Sequence, residues 1–130
     1  MAGWGTGSFE NDDAAAWVAN LKMLAPGELT KILLHAADDP DYLEAPAASV
    51  AVAAAEVVAA LNGSPPERAP AEIGEWTRLY PQALTPELKA VAIRALDRVR
   101  RNSELKDLWL EADGLNDWTA AGRDLQARLE

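Results

Sequence analysis

The run Pro46–Leu61, PAASVAVAAAEVVAAL, constrains this chain more than any other stretch, because between Ala47 and Leu61 only Ser49 and Glu56 are polar. A helix that apolar needs neighbours on nearly every side. Ser49 and Glu56 are separated by about two helical turns, which puts them on one narrow seam, while Val50, Val57, Val58 and Leu61 cover the rest of the cylinder. The alanines give high helix propensity and a slim profile, so other helices can approach closely. The expectation is a largely buried central helix over 46–61, with the Ser49–Glu56 seam as its one wet stripe.

The remainder of the chain supports an all-α fold. The whole sequence contains 27 alanines but only one Phe and two Tyr, which leaves little β-branched and aromatic material for strands. A length of 130 residues suits a single domain, 1–130, that buries roughly two thirds of its unfolded surface. The apolar run is shorter than the ~18 residues of a membrane span and carries Glu56 well inside it. No basic region followed by an apolar stretch opens the chain, so cytoplasm is the default location. Without cysteine there is no disulfide, thiolate nucleophile or cysteine-held metal. A net charge of −9 repels nucleic acid and anionic lipid, so an electrostatically chosen partner is basic.

In chain order, Gly3, Gly5 and Gly7 alternate around Trp4 and Thr6, a pattern unsuited to a regular helix. It predicts a shaped loop over 1–10, with Trp4 and Phe9 docking on the helix that follows. Asn11 or Asp12 suits the N-cap of that helix, with Asp12 and Asp13 in its first turn and Ala14, Trp17, Val18 and Leu21 on its apolar face. A phosphate-loop reading fails, since GxxxxGK[ST] is missing, no strand precedes, and carboxylates repel phosphate. Glu10, Asp12 and Asp13 offer oxygen ligands to a hard cation, but their spacing matches no EF-hand loop, and helix capping accounts for them.

Pro26 and Glu28 begin a second helix with Leu29, Ile32, Leu33 and Ala36 inward, ending near Asp38. His35, the only histidine, falls on its polar face without a metal-ligating or triad partner in the sequence. An acidic turn, in which Tyr42 and Leu43 serve as anchors, leads into the central helix. Asn62-Gly63 closes that helix, and SPPERAP at 64–70 is a Pro-rich internal linker. Ile73, Trp76, Leu79 and Tyr80 mark a short amphipathic helix stopped by Pro81. Thr85-Pro86-Glu87 starts a long one with Leu88, Val91, Ala92, Ala95, Leu96 and Val99 buried.

On the outer side of that helix Arg94, Arg98 and Arg101, with Arg100 beside them, form a basic patch. Four arginines suit a phosphate or an acidic peptide. Their place near the helix C-terminus, with Asp97 and Glu104 at hand, also gives them a structural role. Ser103 caps a further helix with Leu105, Leu108 and Trp109 inward, Asp113-Gly114 breaks it, and Asn116 caps a last helix bearing Trp118, Ala121, Leu125 and Leu129. The sum is a compact bundle of about six or seven short helices around 46–61.

The opening GWGTGSFENDD followed by Trp17 resembles the N-terminal signature of the domain of unknown function 4259 family, uncharacterised small bacterial proteins. Tyr42-Leu43-Glu44-Ala45, AAAEVVAAL, Ser103-Glu104-Leu105 through Leu108-Trp109 and the Trp118 helix continue the likeness over nearly the whole chain. The family has an acidic residue where this chain has Ala16. The resemblance implies a bacterial source and an all-helical domain, with no established activity and no functional residues to carry over.

Three functions stay open. The first is a small acidic protein-binding module that neutralises a basic partner, with Asn11, Asp12, Asp13, Arg94, Arg98 and Arg101 as candidate surface. The second is a small-ligand binder or enzyme with a pocket lined by the tryptophans and Glu56 as base, against which stands plain core packing of the rings. The third is self-association, a homodimer through an exposed part of the Ala-rich helix. No catalytic constellation, metal set or cofactor motif is legible in the sequence.

Overall fold

The computed structural model describes residues 5–130, and they form seven α-helices: α1 Asp12–Ala19, α2 Pro26–Asp38, α3 Ala45–Leu61, α4 Ala71–Leu79, α5 Pro86–Arg101, α6 Glu104–Glu111 and α7 Leu115–Leu129. Short 3₁₀ turns at Leu21–Met23 and Pro81–Ala83 follow α1 and α4. Among the described residues there is no strand, and no helix is long and apolar enough to cross a membrane. Trp4, expected to dock beside Phe9, lies outside the described residues.

The Ala-rich helix α3 is the hub and packs against all six other helices. Ala48, Ala51, Ala53, Ala54, Ala55, Val57, Val58 and Ala59 are buried around its whole circumference. Small side chains allow this, because a cylinder clothed in Ala lets several backbones come close without leaving voids. One side meets α1 through Ala53, Ala14 and Val18, with Phe9 and Trp17 packed alongside. The other faces the main core, where Leu29 and Leu33 of α2, Leu88, Val91, Leu96 and Val99 of α5 and Leu125 and Leu129 of α7 converge.

The helix ends follow local chemistry. Asn11 caps α1 by accepting from the Ala14 N–H at 2.8 Å, Thr85 caps α5 through the Leu88 N–H at 3.0 Å, and Ser103 caps α6 through the Lys106 N–H at 3.1 Å. Gly63 takes φ +83° after α3. Its N–H donates to Ala60 O at 3.0 Å and that of Ser64 to Ala59 O at 2.9 Å, the paired bonds of a Schellman stop.

Four local expectations are corrected. The Ser49–Glu56 seam is no wet stripe: Ser49 is 3% and Glu56 2% exposed, because segments distant in sequence cover it. Leu79 faces solvent, since Tyr80 turns inward at the end of α4 and its ring meets that of Trp76 with centroids 4.9 Å apart. Leu43 anchors the acidic turn as expected, but Tyr42 lies half out in solvent. Finally, Asn116 does not cap α7, which starts at Leu115 with Gly114 as N-cap. The reason is a tight α6–α7 corner. Asp113 takes φ 62°, and the Gly114 N–H donates to Trp109 O at 3.0 Å. A Cβ on Gly114 would stand 2.5 Å from Trp109 Cε3, so glycine is needed there for space and Asp113 carries the left-handed conformation.

Candidate functional site

The most distinctive loop of the sequence lies over the only polar seam of its central helix. Gly5 to Ser8 close over Ser49 at one end, and Ser8 reaches Glu56 at the other. The loop is shaped by its own acid. The Glu10 carboxylate folds back to accept the Gly7 N–H at 3.0 Å, while the Glu10 N–H donates to Gly7 O at 3.1 Å. A Cβ on Gly5 would fall 2.6 Å from Glu10 Cδ, so a side chain there evicts the exposed carboxylate. The Gly7 backbone donor is thereby used by Glu10 and is not offered to a phosphate.

At the Glu56 end the carboxylate is held from both sides of the chain. Its Oε1 accepts Arg128 Nη1 at 2.6 Å, and its Oε2 accepts Arg128 Nη2 at 3.1 Å and Ser8 Oγ at 2.6 Å. Arg128 in turn donates from Nε to Asp124 at 2.9 Å and from Nη1 to Ser64 O at 3.3 Å. Burial by itself pulls the Arg128 guanidinium down, but hydrogen bonds and charge from Glu56 and Asp124 outweigh it and raise it above its ordinary value. The cluster thereby ties the opening loop, the central helix, the 64–70 linker and the last helix together.

That arrangement fits a clamp better than a catalyst. Glu56 spends its oxygens on a bidentate guanidinium and a hydroxyl rather than turning one toward a substrate. Among the described residues Ser8 hydrogen-bonds to the Glu56 carboxylate, with no imidazole or amine beside it to take its proton. His35 stands apart on α2, exposed, with Asp39 at 3.4 Å. A cleft of about 390 Å³ opens beside the clamp, bordered by Glu10, Pro66, Arg68 and Asp124.

At the Ser49 end lies a smaller cavity of about 50 Å³, lined by Thr6, Asn11, Asp13, Ser49, Trp109 and Trp118 among others. Two of the sequence candidates, Asn11 and Asp13, therefore border the seam, and Asp12 sits exposed beside them. Trp76 is fully buried in the core and donates from Nε1 to Leu24 O at 3.0 Å. At this volume the tryptophan-lined cavity is far smaller than the roughly 300 Å³ of a typical ligand pocket.

The arginine candidates lie elsewhere and are occupied. Arg94 pairs with Asp38 at 2.7 Å and Arg101 with Asp97 at 2.7 Å. Arg98 donates to Asp39 O and Asp41 O, each at 2.6 Å, and to Asn102 O at 3.1 Å. Arg100 is hydrogen-bonded to Gln126. Arg94 and Arg98 fasten the end of α2 and the acidic turn to α5, while Arg101 pairs within α5 and Arg100 reaches α7.

The family model described as Domain of unknown function (DUF4259) matches residues 3–121. The chain belongs to the domain of unknown function 4259 family. The match takes in the opening loop, the seam and α6, and stops short of Arg128. No curated protein and no solved structure matches this family member.

Ser8 and Arg128 were invisible to sequence reasoning as partners of Glu56, standing 48 and 72 residues from it. The usable signal was Glu56 itself, an acid midway along an otherwise apolar helix, which calls for a cation. Among the described residues no three or more His, Asp or Glu side chains are gathered to hold a metal.

Proposed function

We propose that this chain is a small acidic protein-binding module for a basic partner, working in a bacterial cytoplasm. The observation that carries the reading is the acidic outer face of α6 in a chain of net charge −9. Arg94, Arg98, Arg100, Arg101 and Arg128 are all spent on the chain's own acids, amides and carbonyls. The outer face of α6 presents Asp107 and Glu111 around exposed Tyr42 and Leu110, with Glu104 adjoining.

Acidic groups surround Tyr42 there. A hydrogen bond to Asp107, then burial, then charge from Asp107, Glu104 and Glu111 push the Tyr42 phenol up to about 12. Such a face steers a cationic surface toward it, while Tyr42 and Leu110 supply apolar contact at the centre.

The test is capture of basic proteins from host lysate by the tagged chain and by an Asp107→Lys/Glu111→Lys variant, at about 50 and about 500 mM salt. Basic proteins held by the unaltered chain at low salt, and released both by salt and by the charge reversal, are the expected result. Equal recovery by both chains overturns the reading.

A further inference from the structure

The cleft beside the clamp brings opposite charges to one space without pairing them. Its volume of about 390 Å³ falls within the roughly 300–1,000 Å³ usual for small-molecule sites. Three walls distant in sequence border it: Phe9 and Glu10 of the opening loop, Pro66 and Arg68 of the linker, and Ala121 and Asp124 of α7. Glu56 and Arg128 line it as well, and the clamp they form holds all three walls in place through Ser8, Ser64 O and Asp124.

The charges on those walls are left over from the fold. Arg68 makes no ion pair among the described residues, although Glu10 and Asp124 border the same cleft. Glu10 gives one oxygen to the Gly7 N–H and Asp124 one to Arg128 Nε, so the second oxygen of each carboxylate stays uncommitted. Arg128 is taken up by Glu56, Asp124 and Ser64 O. Arg68 is therefore the cation that remains for a ligand.

From these unmatched charges across one fixed cleft we infer that it is a binding site for a free α-amino acid with an apolar side chain. The site lies apart from the α6 face and does not rest on the acidic-module reading.

A zwitterion satisfies this cleft where a single charge does not. A simple anion gains Arg68 but meets Glu10, Glu56 and Asp124, and a simple cation gains the carboxylates but meets Arg68 and Arg128. An amino acid carries both charges on one small frame. Its carboxylate takes the planar fork of Arg68, and the three donors of its ammonium meet the open oxygens of Glu10 and Asp124. Phe9, Pro66 and Ala121 offer its side chain an apolar surface. Because the clamp holds the walls before the ligand arrives, binding orders little of the protein.

The test uses the whole chain, ¹⁵N-labelled, at a pH of about 6, where an α-amine is charged. It is titrated with L-leucine, with L-leucinamide, which keeps only the positive charge, and with N-acetyl-L-leucine, which keeps only the negative one. The amide signals of Gly7, Ser8 and Phe9 are expected to shift saturably with leucine at millimolar concentration. Either analogue, having lost one charged partner, should bind at least about tenfold more weakly. Arg68→Gln should weaken leucine about tenfold and leave leucinamide unchanged. Glu10→Gln keeps an acceptor for the Gly7 N–H; it should weaken leucine about threefold to tenfold and leave N-acetyl-leucine unchanged. Both positions are exposed, so neither change disturbs the core. Glycine should bind more weakly than leucine, and Asp107→Lys/Glu111→Lys should leave leucine binding as it was.

Absence of a saturable shift with leucine in the unaltered chain overturns the site, and so does equal binding of leucine and either analogue. Glycine binding as tightly as leucine removes the apolar side chain from the assignment. The two readings fail separately: charge-dependent capture of basic proteins with no response to leucine keeps the module and removes the site, and the reverse pattern keeps the site and removes the module.

Discussion

Removing Arg128 should cost this protein far more stability than removing Glu56, although the two face each other. The Glu56 side chain is 3% exposed and that of Arg128 18%. In Arg128→Met the carboxylate stays in the interior with only the Ser8 hydroxyl, and stranding such a charge costs about 3–5 kcal/mol. In Glu56→Leu the guanidinium keeps Asp124 at 2.9 Å and Ser64 O at 3.3 Å, so the loss is smaller, about 1–3 kcal/mol.

The pair itself contributes little net. An attraction of about 4 kcal/mol for unit charges 4 Å apart at an effective dielectric of 20 is offset by desolvating both ions. Glu56→Leu/Arg128→Met should therefore lose only about 0–2 kcal/mol, with a coupling of at least about 2 kcal/mol between the sites. In a chain of this size the Arg128→Met loss corresponds to a drop in Tm of about 10–20 °C. Urea denaturation of the four proteins measures all of this. If Arg128→Met falls within about 1 kcal/mol of the parent, or the two single losses simply add, the buried clamp is refuted and the seam is as wet as its periodicity first indicated.

Two further outcomes check other parts of the structure. At the α6–α7 corner, Asp113→Gly should stabilise by about 0.5–1 kcal/mol by relieving a left-handed residue, whereas Gly114→Ala should cost about 1–3 kcal/mol by driving a methyl into the Trp109 ring; thermal melts giving both changes the same sign would contradict the corner. Tyr42 titrates at about 12 in the folded chain against 10.0 ordinarily, so the folded state holds the proton longer. Stability from this group is complete below pH 10 and is lost as the pH climbs from 10 toward 12. Denaturation of Tyr42→Phe across that range should show a shallower decline than the parent, and superposable pH curves would remove the Tyr42–Asp107 interaction.

Much of the architecture was legible because it is written in short-range patterns. The buried Ala-rich helix, the caps at Asn11, Thr85 and Ser103, the left-handed Gly63 and the inward faces of α2, α5 and α7 each depend on residues within a few positions of one another. Helical spacing and capping chemistry specify such features before any tertiary contact forms. The basic patch was legible as a cluster of arginines, but its occupation was not, since the carbonyls that Arg98 binds lie 57 and 59 residues away.

The same limit governed the seam. Sequence alone determined that Ser49 and Glu56 share one line on α3, and also that residues 5–10 form a loop rather than a helix. Which side of α3 meets water was decided only when residues from both ends of the chain arrived together, Ser8 from the opening loop and Arg128 from the last helix. A polar residue on a helix reads as exposed until a partner takes over its hydrogen bonds. That exchange depends on long-range packing, and periodicity carries no record of it.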